Sequence, residues 1–231
     1  MFDSIRFLTQ NLADVPGGDG WLGVGEREFL AGLRFPKRRD DWRLGRWTAK
    51  MLLRGRWGLP PDAALDQIEI CAVGEGAAGA GAPEAFFQGG PAGVSISISH
   101  AGGRGFCCAA PDAVALGCDI EAVAPRSDAM VADFFTPAEV EAIGRLAAAA
   151  PEREALVANL VWSAKESVLK ALREGLRRDT RSVVVEVEPF ARPDGWNRWR
   201  GHCLQTGRIF PGVWTSGDGF VQTIACGEAR P

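Results

Sequence analysis

The stretch Leu160 to Arg173, LVWSAKESVLKALR, decides how the rest of the chain is read. Val157, Val161, Ala164, Val168 and Leu172 recur at spacings of three and four, which predicts a helix with one buried stripe. Ser163, Glu166, Lys170 and Arg173 recur at the same spacings on the opposite side. One carboxylate is thereby set beside three groups able to bind an anion. Taken alone, Glu166 and Lys170 are an ordinary i,i+4 ion pair in the favourable order, worth about 0.2–0.5 kcal/mol on a solvated face. Their meaning depends on what lies upstream.

The most informative upstream segment is AVALGCDIEAV. Val114, Leu116, Cys118 and Ile120 alternate with Asp119 and Glu121, which predicts a strand with two carboxylates on one face. Such neighbours repel unless they reach water at a strand end or a cation lies between them. Oxygen-only ligands favour a hard ion, Mg²⁺ before Ca²⁺ or Mn²⁺. Gly117 would allow another group to approach that strand closely.

Earlier still, VSISIS alternates cleanly, with Val94, Ile96 and Ile98 on one side and Ser95, Ser97 and Ser99 on the other. His100 ends that strand before a glycine turn, as a hydrogen-bonded structural residue or as part of a site. Between Arg34 and Arg56 basic residues crowd against only two acids, Asp40 and Asp41. A helix from about Asp40 to Arg56 would carry Arg39, Arg43, Arg46, Lys50 and Arg54 on one basic face, either solvated or clamping phosphates.

The remaining segments complete an α+β pattern. Strands are expected near Ile5 to Phe7, Asp66 to Val73, Phe106 to Ala110 and Ser182 to Val187. A closing antiparallel sheet is expected from Trp199 to Leu204, Val213 to Thr215 and Phe220 to Cys226. A short helix is expected over Glu26 to Leu33. Thr136, Pro137 and Glu139 spell a capping box, which gives Glu139 a structural task, and Pro151 opens the helix of the first paragraph. Gly74 to Gly93, with seven glycines, reads as a long flexible loop and lacks the GxxxxGK[ST] pattern of a nucleotide P-loop.

Of the 231 residues 46% are hydrophobic and 24% charged, the profile of a globular protein with a sizeable core. No apolar run is long enough to span a membrane, and MFDSIRFLTQ has neither the basic start nor the apolar core of a signal peptide. The six cysteines show no metal-ligand spacing and read as reduced thiols, so a cytoplasmic protein is expected. A net charge of −3 argues against general nucleic-acid binding and leaves the basic helix as a local anion site.

In order, the chain presents a basic helix, a strand ending SH, a strand GCDIE, FFTPAEV and a helix WSAKESVLK. This resembles the 4′-phosphopantetheinyl transferase superfamily, Sfp type, from about Arg34 to Val185. The pairing of GxDxE with a later WSxKExxxK is its most specific part. The resemblance implies a pseudo-dimer of two similar α+β halves, joined near Pro111, with the active site in the cleft between them, acting as a monomer. It implies transfer of the phosphopantetheine arm of coenzyme A to a serine of an apo acyl, polyketide or peptidyl carrier protein.

It further implies that Asp119, Glu121 and Glu166 hold Mg²⁺, and that Glu166, Lys165 and Lys170 are catalytic. Lys165 and Lys170 would contact phosphate, and Ser99, His100, Arg43, Arg46, Lys37 and Arg38 would bind the nucleotide end of coenzyme A. The basic residues Arg173, Arg177, Arg178 and Arg181 would suit an acidic carrier surface. Three departures stand out: Gly81-Ala82-Pro83 lacks the family's cation, Cys118 replaces Ile or Val, and Gly74 to Gly93 is longer than the family pattern requires. A coenzyme A- or carrier-binding module without turnover, or another Mg²⁺-dependent phosphoryl-transfer enzyme, are the competing readings.

Overall fold

A computed structural model describes residues 2–73, 81–188 and 195–228. The chain divides into two compact units, Met1–Leu116 with Glu228–Pro231, and Gly117–Gly227. The division falls inside a strand after Leu116, where the sequence places it at Pro111.

In the first unit, strands β1 (Arg6–Asn11), β2 (Ile68–Val73), β3 (Ala82–Phe87), β4 (Gly90–Ala101) and β5 (Arg104–Pro111) form a sheet of order β1-β5-β4-β3-β2. Its neighbouring strands all pair antiparallel, with Ser99 opposite Phe106 and His100 opposite Gly105. Helices α1 (Val24–Gly32) and α2 (Pro36–Arg56) supply Leu30, Ala49, Leu52 and Leu53 to a core shared with Ile68, Ile70, Ala85, Ile96, Cys107 and Ala109. Pro36 starts α2 at its first position, where its missing N–H costs nothing.

The expected loop from Gly74 to Gly93 is corrected in part. Residues 74–80 lie outside the described residues, but Ala82–Phe87 is β3 and Gly90 begins β4. Between them Gln88 and Gly89 both have positive φ, 51° and 80°, as in a two-residue turn matched to strand twist. Gln88 and Gly89 there close a hairpin.

In the second unit, β6 (Val114–Ala122), β7 (Val183–Val187), β8 (Asn197–Cys203), β9 (Arg208–Gly217) and β10 (Phe220–Glu228) form a sheet of order β6-β10-β9-β8-β7. Three helices accompany it: α3 (Asp128–Phe134), α4 (Pro137–Ala149) and α5 (Glu154–Ala171). A single 3₁₀ turn from Pro151 to Arg153 precedes α5. Leu160, Ala164, Val168 and Leu169 of α5 are fully buried, as are Trp199 of β8 and Phe210 and Trp214 of β9, each at most 2% exposed. Gly201 and Gly212 make that packing possible, since a side chain at either would strike Val168 or the Trp199 ring. Among the described residues no helix is long and apolar enough to cross a membrane.

The two units share one topology, because adding five to each strand number of the first sheet gives the second. They also share a short sequence that reading the chain linearly passes over. Trp47-Thr48-Ala49-Lys50 on α2 matches Trp162-Ser163-Ala164-Lys165 on α5. The turns correspond too, Gly102-Gly103 between β4 and β5 and Asp218-Gly219 between β9 and β10, all four at positive φ. The fold is therefore α+β in two halves of like construction.

Candidate active site

The groups that carry charge in the second unit stand on one strand and one helix, β6 and α5. Leu116, Cys118 and Ile120 of β6 face the core, at most 5% exposed. At Gly117 a Cβ would overlap the carbonyl oxygen of Ser167 and lie 2.7 Å from the backbone nitrogen of Ala171. The strand thus lies directly against the helix backbone. Alternation then turns Asp119 and Glu121 away from that core face, toward the side chains that α5 presents.

Lys170 donates to Asp119 Oδ1 at 2.8 Å and to the carbonyl of Cys118 at 3.1 Å. Glu121 is held from two sides: Arg126 donates to Oε2 at 2.9 Å, and the Trp162 indole N–H to Oε1 at 2.9 Å. Phe134 packs edge-on against the Trp162 ring, 5.1 Å between centroids. Glu166 is half-buried on the same helix as Lys170. Burial pushes the Glu166 carboxyl up to about 7, with Lys170 opposing that rise and Asp119 and Glu121 adding to it. Burial, then Asp119, likewise raise Glu121 against the pull of Arg126 and Trp162. For Lys170, burial acts to lower the ammonium, but Asp119, Cys118 and Glu166 outweigh it and the value stays raised. Three acids, one of which (Asp119) raises the other two, thus meet one lysine and the Arg126 guanidinium, so acidic groups outnumber basic ones at this centre.

Other expected site residues stand elsewhere. Lys165 does not face this centre: its side chain is fully buried, 2.8 Å from Glu139 Oε2, and donates to the carbonyls of Thr180 and Val183 at 3.1 and 2.5 Å. Adjacent residues on a helix point about 100° apart, and α5 is buried nearly all round, so Lys165 is directed into the core. Ser163 is corrected as well. Its hydroxyl is buried 2.8 Å from that of Thr223 on β10, which Ser167 also meets at 2.7 Å. Arg173 takes φ 61° and closes α5: its own N–H reaches the Lys170 carbonyl and that of Glu174 the Leu169 carbonyl.

In the first unit Arg43 donates to the carbonyls of Pro16, Gly17 and Gly18 and lies 3.2 Å from Asp19, so it braces the segment before α1. Arg46 lies over the Trp42 ring at 4.5 Å, and burial pushes it down to about 10. Lys37 pairs with Asp41 at 2.6 Å, Arg38 is exposed, and His100 Nδ1 lies 3.9 Å from Asp41 Oδ1 beside the buried Ser99. Lys50, expected on the basic face, is instead fully buried against Glu26. Ala82 pairs with Val73 in the β2–β3 ladder, so its side chain is that of a strand residue.

Arg126 and Trp162 are the site residues that spacing alone does not reveal. Arg126 follows Pro125 in a segment with no periodicity. Trp162 sits inside the decisive stretch and reads there as part of the apolar helix.

A family model described as the 4′-phosphopantetheinyl transferase superfamily matches residues 115–223, the span of β6 to β10. The chain is also similar to the 4′-phosphopantetheinyl transferase Svp of Streptomyces mobaraensis, 33% identical over 200 residues that cover 81% of this chain and 72% of that protein. With the two like halves and the strand–helix carboxylate centre, these matches place the chain: it belongs to the 4′-phosphopantetheinyl transferase superfamily. It is accordingly an enzyme, a 4′-phosphopantetheinyl transferase.

Proposed function

We propose that the protein, as a monomer of the Sfp type, moves the 4′-phosphopantetheine group of coenzyme A onto a serine of an apo acyl, polyketide or peptidyl carrier protein, with Mg²⁺ as cofactor. The observation that carries the reading is the centre formed by Asp119, Glu121, Glu166 and Lys170 on β6 and α5. The carrier hydroxyl attacks the β-phosphorus of coenzyme A, a new P–O bond forms, and the bond to 3′,5′-ADP breaks. Glu166 takes the serine proton, directly or through a water; its carboxyl stands near 7 without metal, and a bound cation would lower it and favour the water route. Lys170, already drawn to Asp119, offsets charge gathering on the phosphate oxygens.

The donor chemistry fits a hard cation, since Asp119 raises both Glu121 and Glu166 and the three carboxylates meet only the Lys170 ammonium and the Arg126 guanidinium. Among the described residues no three such groups converge as they stand, because Glu121 is turned to Arg126 and Trp162. Asp119, Glu121 and Glu166 would hold Mg²⁺, which supplies positive charge to the diphosphate when bound. Arg43, Arg46, Lys37, Arg38, Ser99 and His100 are assigned to the nucleotide end of coenzyme A. Arg173, Arg177, Arg178 and Arg181 are assigned to the carrier.

The test is incubation with apo carrier proteins of each class, coenzyme A and Mg²⁺, with the carrier weighed by mass spectrometry. Gain of the phosphopantetheine mass, dependent on Mg²⁺, supports the assignment. No gain with any carrier would refute it, and release of adenine nucleotide without carrier would point to another phosphoryl transfer.

A further inference from the structure

Lys165 and Glu139 form a buried arrangement that occurs a second time in the chain. Glu139 Oε2 accepts from the Thr136 N–H at 2.8 Å and its hydroxyl at 3.0 Å, closing the capping box of α4. Oε1 accepts from the Val185 N–H of β7 at 2.9 Å. Lys165 of α5 lies against Oε2 and donates to two carbonyls at the entry to β7. One ion pair thus joins α4, α5 and β7, with nearly every polar atom satisfied.

In the first unit Glu26 occupies the same place at the start of α1, accepting from the Gly23 N–H at 2.9 Å and from the Ile70 N–H of β2 at 3.0 Å. Lys50 of α2 pairs with it and donates to the carbonyls of Trp21 and Leu65 at 2.9 and 3.1 Å. Element for element, α1, α2 and β2 answer to α4, α5 and β7. The chemistry does not repeat. One residue after Lys50 stands Met51 where Glu166 follows Lys165, and Gly55 stands in the place of Lys170. Strand β1, RFLTQN, has no counterpart of the Asp119 and Glu121 pair.

A feature kept in the half that lacks the reactive groups has a task other than reaction. We propose that Lys165 is a positioning residue: locked to Glu139, it pins α5 to α4 and β7 and so fixes where Glu166 and Lys170 stand. The kinetic part of this rests on the transferase reading, while the lock itself does not.

Breaking one side of a buried, hydrogen-bonded pair leaves a charge without its partner, whereas removing both charges together is far milder. Urea unfolding and transfer kinetics therefore separate the roles. Lys165→Met is expected to lower the folding equilibrium constant about 100-fold or more, and Lys165→Met with Glu139→Gln to recover it to within about tenfold. Under conditions where the single variant is still folded, its kcat falls about tenfold with KM for coenzyme A unchanged, as for a lost transition-state interaction made elsewhere. The double variant regains kcat to within about threefold.

Lys50→Met, alone and with Glu26→Gln, repeats the stability pattern without changing kcat of the folded protein. A folded double variant with KM for coenzyme A raised, or kcat still lowered, about tenfold or more would overturn the proposal and put Lys165 on the substrate. Undiminished stability of both single variants would overturn the lock. If the native protein transfers nothing, the urea arms still decide it.

Discussion

In metal-free protein, Glu166→Gln should become more stable than the native chain as pH rises. The Glu166 carboxyl stands at about 7 against an ordinary value of 4.5. Its folded-state value is raised, so the native state binds more protons than the unfolded chain between those two limits. Stability contributed by the protonated group is complete below 4.5 and is lost as pH rises toward 7. Each unit corresponds to about 1.36 kcal/mol, so the native chain loses roughly 3 kcal/mol across the window relative to a variant with no proton to lose. The assay is urea unfolding of both proteins in a chelating buffer at several values from about pH 4.5 to about pH 8, taking the difference at each. Groups common to both proteins cancel in that difference. It should rise toward the amide variant by roughly 3 kcal/mol, and Mg²⁺ at the upper end should reverse it by stabilising only the carboxylate form. A difference that stays flat with pH would refute the reasoning that burial, with Asp119 and Glu121 beside it, holds the Glu166 carboxyl up.

Other outcomes are equally specific. Lys170→Met should cut kcat by about 100-fold or more while leaving a folded protein, because Asp119 and Glu166 lose the ammonium among them; turnover kinetics beside circular dichroism decide this. Gly117→Ala should lower stability by about 3 kcal/mol or more, since its methyl meets helix backbone rather than a mobile side chain, and thermal unfolding reads the loss. Arg173→Gly should stabilise the protein by about 0.5–1 kcal/mol, read as a higher urea midpoint, because it relieves a left-handed backbone at the end of α5.

Much of this architecture is legible in the residues, for reasons that differ by element. Strict alternation in VSISIS and in VALGCDIEA marks β4 and β6, because a half-covered strand leaves a period of two. The box at Thr136 and Glu139 is legible because capping is local chemistry. Lys165 and Ser163 are not legible in the same way. A helix buried on nearly every side offers no single polar face, so periodicity cannot tell which charged residue points inward. Likewise β3 is hidden among glycines and prolines, of which Gly89, with Gln88 before it, closes a hairpin. The repeat escapes notice because only four consecutive residues carry it, and what is kept is a bonding pattern spread over three elements.

Gly117 has a consequence for how such an enzyme can change over time. With the backbone of β6 resting on that of α5 at Ser167 and Ala171, the gap between the strand carboxylates and the helix carboxylate is gauged by main chain, not by side-chain volume. Core residues behind the sheet are then free to drift among shapes of similar size without retuning that gap. The spacing of these carboxylates is thereby sheltered from substitution behind the sheet, apart from the buried Lys165–Glu139 pair that pins α5.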